Sequence, residues 1–359
     1  MKFLDLFAGI GGFRLGMESA GHKCIGFCEI DKFARASYKA IHDTKGEIEL
    51  HDITAVSDES IRRIGRVDAI CGGFPCQAFS IAGNRRGFED TRGTLFFEIA
   101  RFASILRPQY LFLENVKGLL NHENGITFET IISTLDELGY DVEWQVLNSK
   151  DFGVPQNRER VFIIGHFRGE CTRRIFPLSG QSQSISNKSV VKIGNVNPSG
   201  NGMNGEVYQA DGLAPTLTTN KGEGQKIAIK SGTIKQFGVL QPNFNQCGVV
   251  YETDGIAPTI RAYQGGGLEP KIIQRGHGYN QGGVHEIAPT LTSNSYHENN
   301  HLSFGYRIRK LTPRECWRLQ GFPDWAFDKA QEVNSNSQLY KQAGNSVTVN
   351  VISAIAERL

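Results

Sequence analysis

Along the first half of the chain, apolar residues fall in short runs, each closed by a glycine, a carboxylate or a polar cluster. Phe3-Leu4-Asp5-Leu6-Phe7 predicts a strand, Ala8-Gly9-Ile10-Gly11-Gly12 a tight turn, and Phe13 to Ala20 a helix that Gly21 can stop. Cys24 to Cys28 predicts a second strand that delivers Glu29 at its end. Ile48-Glu49-Leu50 precedes Asp52-Ile53, Val67 to Cys71 runs out into Gly72-Gly73-Phe74-Pro75-Cys76-Gln77, and Tyr110 to Leu113 ends in Glu114-Asn115-Val116. Strand, glycine turn, helix, strand is the opening of an α/β fold with a doubly wound, Rossmann-like sheet. Ligands of such sheets sit in the crevice beyond the carboxyl ends of the strands. The residues at those ends are therefore the candidates for chemistry.

Between about residues 170 and 305 glycine, asparagine and serine rise, and no long amphipathic helix is predicted. An internal repeat runs through this region: Gly212-Leu213-Ala214-Pro215-Thr216-Leu217-Thr218, Gly255-Ile256-Ala257-Pro258-Thr259-Ile260-Arg261 and Glu286-Ile287-Ala288-Pro289-Thr290-Leu291-Thr292. Val207-Tyr208, Val249-Val250-Tyr251 and Val284-His285 precede the three as short strands, and the irregular spacing argues against a solenoid. This predicts a second, smaller domain, mostly β or irregular. From Ser346 the residues Val347, Val351 and Ile355 follow helical spacing. The expected organisation is a catalytic domain over 1–168, a small domain over 169–333, and a segment 334–359 that returns to the first.

Composition narrows the setting. Of the 359 residues 21% are charged and the net charge is +2, so any nucleic-acid surface must be local. Seven cysteines at 24, 28, 71, 76, 171, 247 and 316 give neither a disulfide ladder nor paired CxxC motifs, which fits a reduced, cytoplasmic compartment. Cys24 and Cys28 lie within a predicted strand and lack a second ligand pair, so no metal is expected. No signal sequence and no apolar run of about 20 residues is found, so no membrane association is expected.

The glycine turn departs from the dinucleotide fingerprint, because Arg14 stands where the third glycine belongs. S-adenosylmethionine has a ribose and an adenine but no phosphates, and needs the close backbone approach without a pyrophosphate cradle. Glu29, about 20 residues past Gly9, is placed to take ribose hydroxyls. Asp52 and Ile53 either bracket an adenine, or Asp52 is a solvated turn residue. Cys76, at a strand end, is either a buried structural cysteine or a nucleophile whose thiolate fraction a nearby cation would raise. Glu114 emerges from so apolar a strand that desolvation should raise its pKa and let it donate a proton; a capping or salt-bridge role is the competing account. Arg158 and Arg160 sit on alternate residues at the start of a strand, hence on one face, where planar guanidinium groups can hold a base oxygen and a phosphate. Thiolate, protonatable carboxyl and methyl donor together suit methylation at C5 of cytosine: the thiolate adds at C6, a proton or hydrogen bond at N3 assists, and C5 becomes nucleophilic.

Nine segments in order carry a resemblance to the DNA (cytosine-5)-methyltransferases of bacteria and phages. They are Asp5 to Gly12, Glu29-Ile30-Asp31, Asp52-Ile53, Gly73 to Gln77, Gly93 to Glu98, Glu114-Asn115-Val116, Gln156 to Arg160, Arg309 to Glu315, and Gln342 to Val347. The resemblance implies Cys76 as nucleophile, Glu114 at N3, and Arg158 with Arg160 near the cytosine and its phosphate. It places Phe7, Ala8, Gly9, Ile10, Gly11, Gly12, Glu29, Ile30, Asp52, Ile53, Gly73, Pro75, Leu95, Asn345 and Val347 around S-adenosylmethionine. It further implies a lid from Gln77 to Arg92 closing over a base flipped out of double-stranded DNA, a monomer, and a restriction–modification setting with a cognate endonuclease as functional partner only. The polar loops Thr218 to Gly224, Arg261 to Gly267 and Ser293 to Asn300 follow the repeats and carry side chains suited to base edges or phosphates. Either they read the target, or the repeats pack the small domain and only some loops touch DNA. Three other readings stay open: an RNA cytosine-5 methyltransferase on the same scaffold, a catalytically inert DNA-binding relative, and a nicotinamide-dependent dehydrogenase.

Overall fold

The computed structural model of the chain describes residues 1–75, 95–170, 172–180, 189–195, 205–210, 212–217, 226–230, 236–239, 249–251, 272–274, 283–285 and 306–359. Cys76, the Gln77 to Arg92 loop, Gly93, Thr94, the second and third repeats and the three polar loops lie outside the described residues.

Each apolar run of the first half forms a strand. The order along the chain is β1 (Lys2–Leu6), α1 (Gly12–Ser19), β2 (Lys23–Cys28), α2 (Lys32–Ile41), β3 (Ile48–Leu50), α3 (Asp58–Ile64), β4 (Ala69–Gly73), α4 (Leu95–Leu106), β5 (Tyr110–Val116), α5 (Ile126–Glu137), β6 (Tyr140–Asn148) and β7 (Glu159–Phe167). These strands make one seven-stranded sheet in the order β3-β2-β1-β4-β5-β7-β6. The first five are parallel, and β7 runs antiparallel to both β5 and β6. Strand order reverses between β1 and β4, which opens a crevice at their carboxyl ends.

The central strands are apolar on both faces, as a sheet covered on both sides requires. Leu4, Leu6, Ile70, Leu111, Leu113 and Ile163 pack with Ile61, Phe102 and Ile131 of α3, α4 and α5. The alternate residues Phe3, Ala69, Cys71, Tyr110, Phe112 and Ile164 pack with Phe13 and Met17 of α1 and with Val351, Ile352 and Ile355 of the last helix. Parity along β5 therefore puts Glu114 on the second face, just past Phe112, and parity along β7 puts Arg160 there with Phe162.

Four helices follow the small domain: α6 (Pro313–Leu319), α7 (Asp324–Val333), α8 (Asn336–Asn345) and α9 (Val349–Ala356). Thr312 and Glu315 form a capping box at the start of α6, with Pro313 at its first turn. The chain divides into two compact units, one of Met1–Val190, Gly212–Gly224 and Leu311–Leu359, the other of Val191–Asp211 and Gln225–Lys310. These boundaries differ from the expected 168/169 and 333/334 for identifiable reasons. Ile175, Phe176 and Leu178 bury themselves in the core of the first unit, and the Ile175 and Phe176 N–H groups donate to Glu143. Trp317, 1% exposed, donates its indole N–H to the Leu339 carbonyl and packs on Phe322 and Phe327, so α6 and α7 belong with α8.

The second unit has a four-stranded sheet in the order β15 (Tyr306–Lys310), β10 (Lys226–Lys230), β9 (Glu206–Gln209), β8 (Lys192–Asn195). Two antiparallel pairs join β11 (Gln236–Val239) to β12 (Val249–Tyr251) and β13 (Ile272–Gln274) to β14 (Gly283–His285). The short strands expected ahead of the repeats are β9, β12 and β14.

Helix α1 is held unusually close to α9. A Cβ built on Gly16 would lie 2.6 Å from Ile352 Cβ and 2.9 Å from the Ser353 backbone nitrogen. Alanine gains about 1 kcal/mol over glycine in a helix, but forcing the two helices apart costs about 1–3 kcal/mol. We expect Gly16→Ala to lower the urea midpoint, with a net loss of up to about 2 kcal/mol; a raised midpoint would contradict the packing described.

Candidate active site

At the end of β1 the chain reverses through a sequence of left-handed residues: Phe7 at φ 56°, Gly9 at 56° and Gly11 at 85°. Phenylalanine in that region costs on the order of 1 kcal/mol or more, and it is seen at the mouth of a cavity. The Gly11 N–H closes the turn on the Ala8 carbonyl at 2.8 Å, and the Gly9 N–H donates to Glu29 Oε2 at 2.8 Å. Glu29 Oε1 takes the Asp31 N–H at 2.7 Å. Burial raises the pKa of Glu29, and these two N–H groups oppose the rise. A carboxylate offers about four lone-pair sites, so two remain for a ligand. A Cβ on Gly9 would meet nothing within 4 Å, so this side of the turn is open.

At the end of β4, Gly73 pairs in register with Glu114 of β5, and a Cβ there would lie 3.0 Å from Glu114 Oε2. Asn115 Nδ2 donates to the Phe74 carbonyl at 2.9 Å. The backbone leading to Cys76 is thereby fixed as far as Pro75, beside the Glu114 carboxyl.

Glu114 is 8% exposed, and Arg160 Nε meets its Oε1 at 2.9 Å. Burial raises the Glu114 pKa, while Arg160 and then Arg158 pull it back. Arg158 plays a different part from the one its spacing suggested. Its guanidinium donates to the carbonyls of Ser346 (2.7 Å), Gly344 (3.2 Å) and Leu217 (3.3 Å), while Nε is buried with no partner among the described residues. Burial, with repulsion from Arg160, pushes its pKa down to about 9 against the attraction of Glu114. Arg158 thus fixes backbone around the site, whereas Arg160 faces the carboxyl.

These groups line one cavity of about 680 Å³ at the switch point of the sheet, a size suited to a small molecule. Of the residues expected at a cofactor, Phe7, Gly9, Ile10, Glu29, Gly73, Pro75 and Asn345 line it, as do Glu114, Arg158 and Arg160. Ala8, Gly11, Gly12, Ile30, Asp52, Ile53, Leu95 and Val347 are not among its walls. Asp52 turns its carboxylate to the N–H and hydroxyl of Thr54 (3.0 and 2.7 Å), Ile53 is in the core, and Ile30 is 68% exposed. Val347 packs in the core, where a Cβ on Gly12 would lie 2.8 Å from its Cγ2.

Sequence reasoning missed Thr216 and Leu217 of the first repeat, which line the cavity. Asn157 N–H donates to the Ala214 carbonyl (2.8 Å) and Thr216 Oγ1 to the Asn157 carbonyl (2.8 Å), so this repeat is bound to the arginine segment. It missed Lys341 as well, which also lines the cavity and pairs with Asp31 at 2.6 Å. Among the described residues no group of three metal-ligating side chains forms, and no helix is long and apolar enough to cross a membrane.

A family model described as C-5 cytosine-specific DNA methylase matches residues 1–359. The chain is 35% identical to the orphan methyltransferase M.SPRI of Bacillus phage SPR, covering all of this chain and 97% of that protein. It is 36% identical to the type II methyltransferase M.HhaI of Haemophilus parahaemolyticus, over 99% of this chain and 93% of that one. Among solved structures, the S. pombe Dnmt2 methyltransferase superposes with a TM-score of 0.59 at 19% identity, over 99% of this chain and 96% of that one, a likeness of fold. With the family model spanning the whole chain and relatives this similar along nearly their full lengths, the chain belongs to the C-5 cytosine-specific DNA methylase family.

Proposed function

We propose that this protein transfers a methyl group from S-adenosylmethionine to C5 of a cytosine in double-stranded DNA, with Cys76 as the nucleophile. The observation that carries the reading is a single cavity holding the open glycine turn, the half-satisfied Glu29 carboxylate, the Glu114–Arg160 pair and the strand end that leads to Cys76. The donor set fits the cofactor: Glu29 keeps lone pairs for ribose hydroxyls, and Gly9 leaves room for close approach. When bound, S-adenosylmethionine supplies the electrophilic methyl group that C5 takes up.

The chain's own residues do the rest. The Asn115–Phe74 hydrogen bond holds the chain just ahead of Cys76, and the Cys76 thiolate adds to C6 of a cytosine. The Glu114 carboxyl, with its pKa raised by burial, can donate to N3 as negative charge develops in the ring. Arg160 keeps that carboxyl in place and leaves further N–H groups for the base or its phosphate. After transfer the C5 proton leaves to a base, and Cys76 is expelled as the C5–C6 double bond reforms. The duplex hides its base faces, so the target cytosine must leave the stack before Cys76 can reach C6. The polar loops after the repeats are the proposed readers of the sequence.

Cys76→Ser is expected to abolish methyl transfer to duplex DNA while S-adenosylmethionine still binds, measured by radiolabel transfer and by calorimetry. Full activity in that variant would sink the mechanism. Arg160→Ala removes the cation that opposes burial, so the Glu114 carboxyl should titrate at higher pH than in the parent protein. Infrared titration of the carboxyl stretch, with Glu114→Gln to identify the band, checks the direction; a titration that stays put or falls contradicts this balance of burial against charge.

A further inference from the structure

At Gly11 the glycine turn packs against a single side chain. A Cβ on Gly11 would sit 2.0 Å from His42 Nε2, 2.9 Å from its Cδ2 and 3.0 Å from its Cε1. His42 follows α2 and is 7% exposed; its Nε2 makes no well-aligned hydrogen bond among the described residues, though the Ile10 backbone of the turn interacts with the ring. The ring lies 4.7 Å from that of Tyr38, which stacks on Phe27 at 4.2 Å and donates its hydroxyl to Asp5 at 3.3 Å. Burial, with Arg14 adding to it, pushes the His42 pKa down to about 3, so the ring is uncharged at neutral pH.

Arg14 fixes the chain that carries this ring. Its guanidinium is 5.5 Å from the Tyr38 ring centroid and donates to Glu47 (2.7 and 2.9 Å), Glu18 (2.9 Å) and the carbonyl of Asp43 (3.1 Å), the residue directly after His42. The residue that replaces the third glycine of the dinucleotide pattern is therefore part of a support that ends at the second.

We infer that His42, anchored through Arg14, is a positioning residue that props the Gly9–Gly12 turn against the cofactor cavity. The inference rests on the functional reading above, in which that turn receives S-adenosylmethionine. His42 touches no substrate; it sets how far the turn can retreat from the cavity when a ligand presses on Gly9 and Ile10.

Calorimetry with S-adenosylmethionine on the full chain tests this, alongside thermal melting of each variant. His42→Ala should weaken cofactor binding by about tenfold, and the KM for cofactor should rise more than the KM for DNA. Gly11→Ala should bind poorly in the parent, where the new methyl meets the ring, and should recover part of that loss when combined with His42→Ala. If His42→Ala does not fold, His42→Gln carries the test, since a planar uncharged amide can fill the space and keep affinity within about twofold, whereas His42→Leu cannot. Wild-type affinity in His42→Leu, or the same loss from Gly11→Ala with and without His42, overturns the inference. Failure of the wild type to bind S-adenosylmethionine overturns the functional reading itself, and the inference with it.

Discussion

The site depends on keeping a carboxyl buried at the end of an apolar strand. A lone ionised carboxylate inside a protein costs several kcal/mol, and removing the partner of a buried pair costs about as much. Glu114 is tolerated because β7 runs antiparallel beside β5 and brings Arg160 onto the same face. The pairing has consequences beyond these two residues. A second arginine two positions earlier falls on that face as well, where Arg160 repels it and Glu114 attracts it. Arg158 instead takes up the carbonyls of Leu217, Gly344 and Ser346. One electrostatic requirement thus gathers segments that are distant in sequence: the end of β5, the start of β7, the first repeat and the end of α8.

A second constraint acts on the cofactor side. The turn after β1 must present bare backbone to a ligand, so its residues adopt conformations that glycine tolerates and Phe7 pays for. Backbone without side chains has little to hold it. Glu29 holds it from the cavity side through the Gly9 N–H, and the His42 ring backs it from beneath. The two supports come from the end of β2 and the end of α2, so the α/β order itself fixes the height of the turn.

Much of this was legible in the sequence. Short apolar runs closed by glycines and carboxylates pointed to the sheet, the alternation of Arg158 and Arg160 put them on one face, and strand ends located Glu29 and Glu114. Other features had no residue signature. Arg158 pairs with backbone carbonyls, which every residue carries, so its partners could not be read from side-chain chemistry. The first of three similar repeats belongs to the larger unit because of hydrogen bonds to Asn157, and its sequence hardly differs from the others. Asp52 was open to two roles, at an adenine or in the turn, and its carboxylate caps the turn that follows. The boundary near 311 was missed because Trp317 and Gln320 bury themselves against α8, where Gln320 Nε2 donates to the Ala343 carbonyl, contacts that helical spacing alone does not announce.

The central claim is that the strand end fixed beside Glu114 delivers a cysteine to C6 of cytosine. It is tested most directly by incubating the protein and S-adenosylmethionine with duplex DNA in which 5-fluorocytosine replaces cytosine. Fluorine cannot leave C5 as the proton does, so the sulfur–carbon bond should persist, giving a protein–DNA complex that survives denaturation and maps to Cys76. Methylation of ordinary duplex DNA without any such complex, or a complex that maps to another residue, would contradict the account.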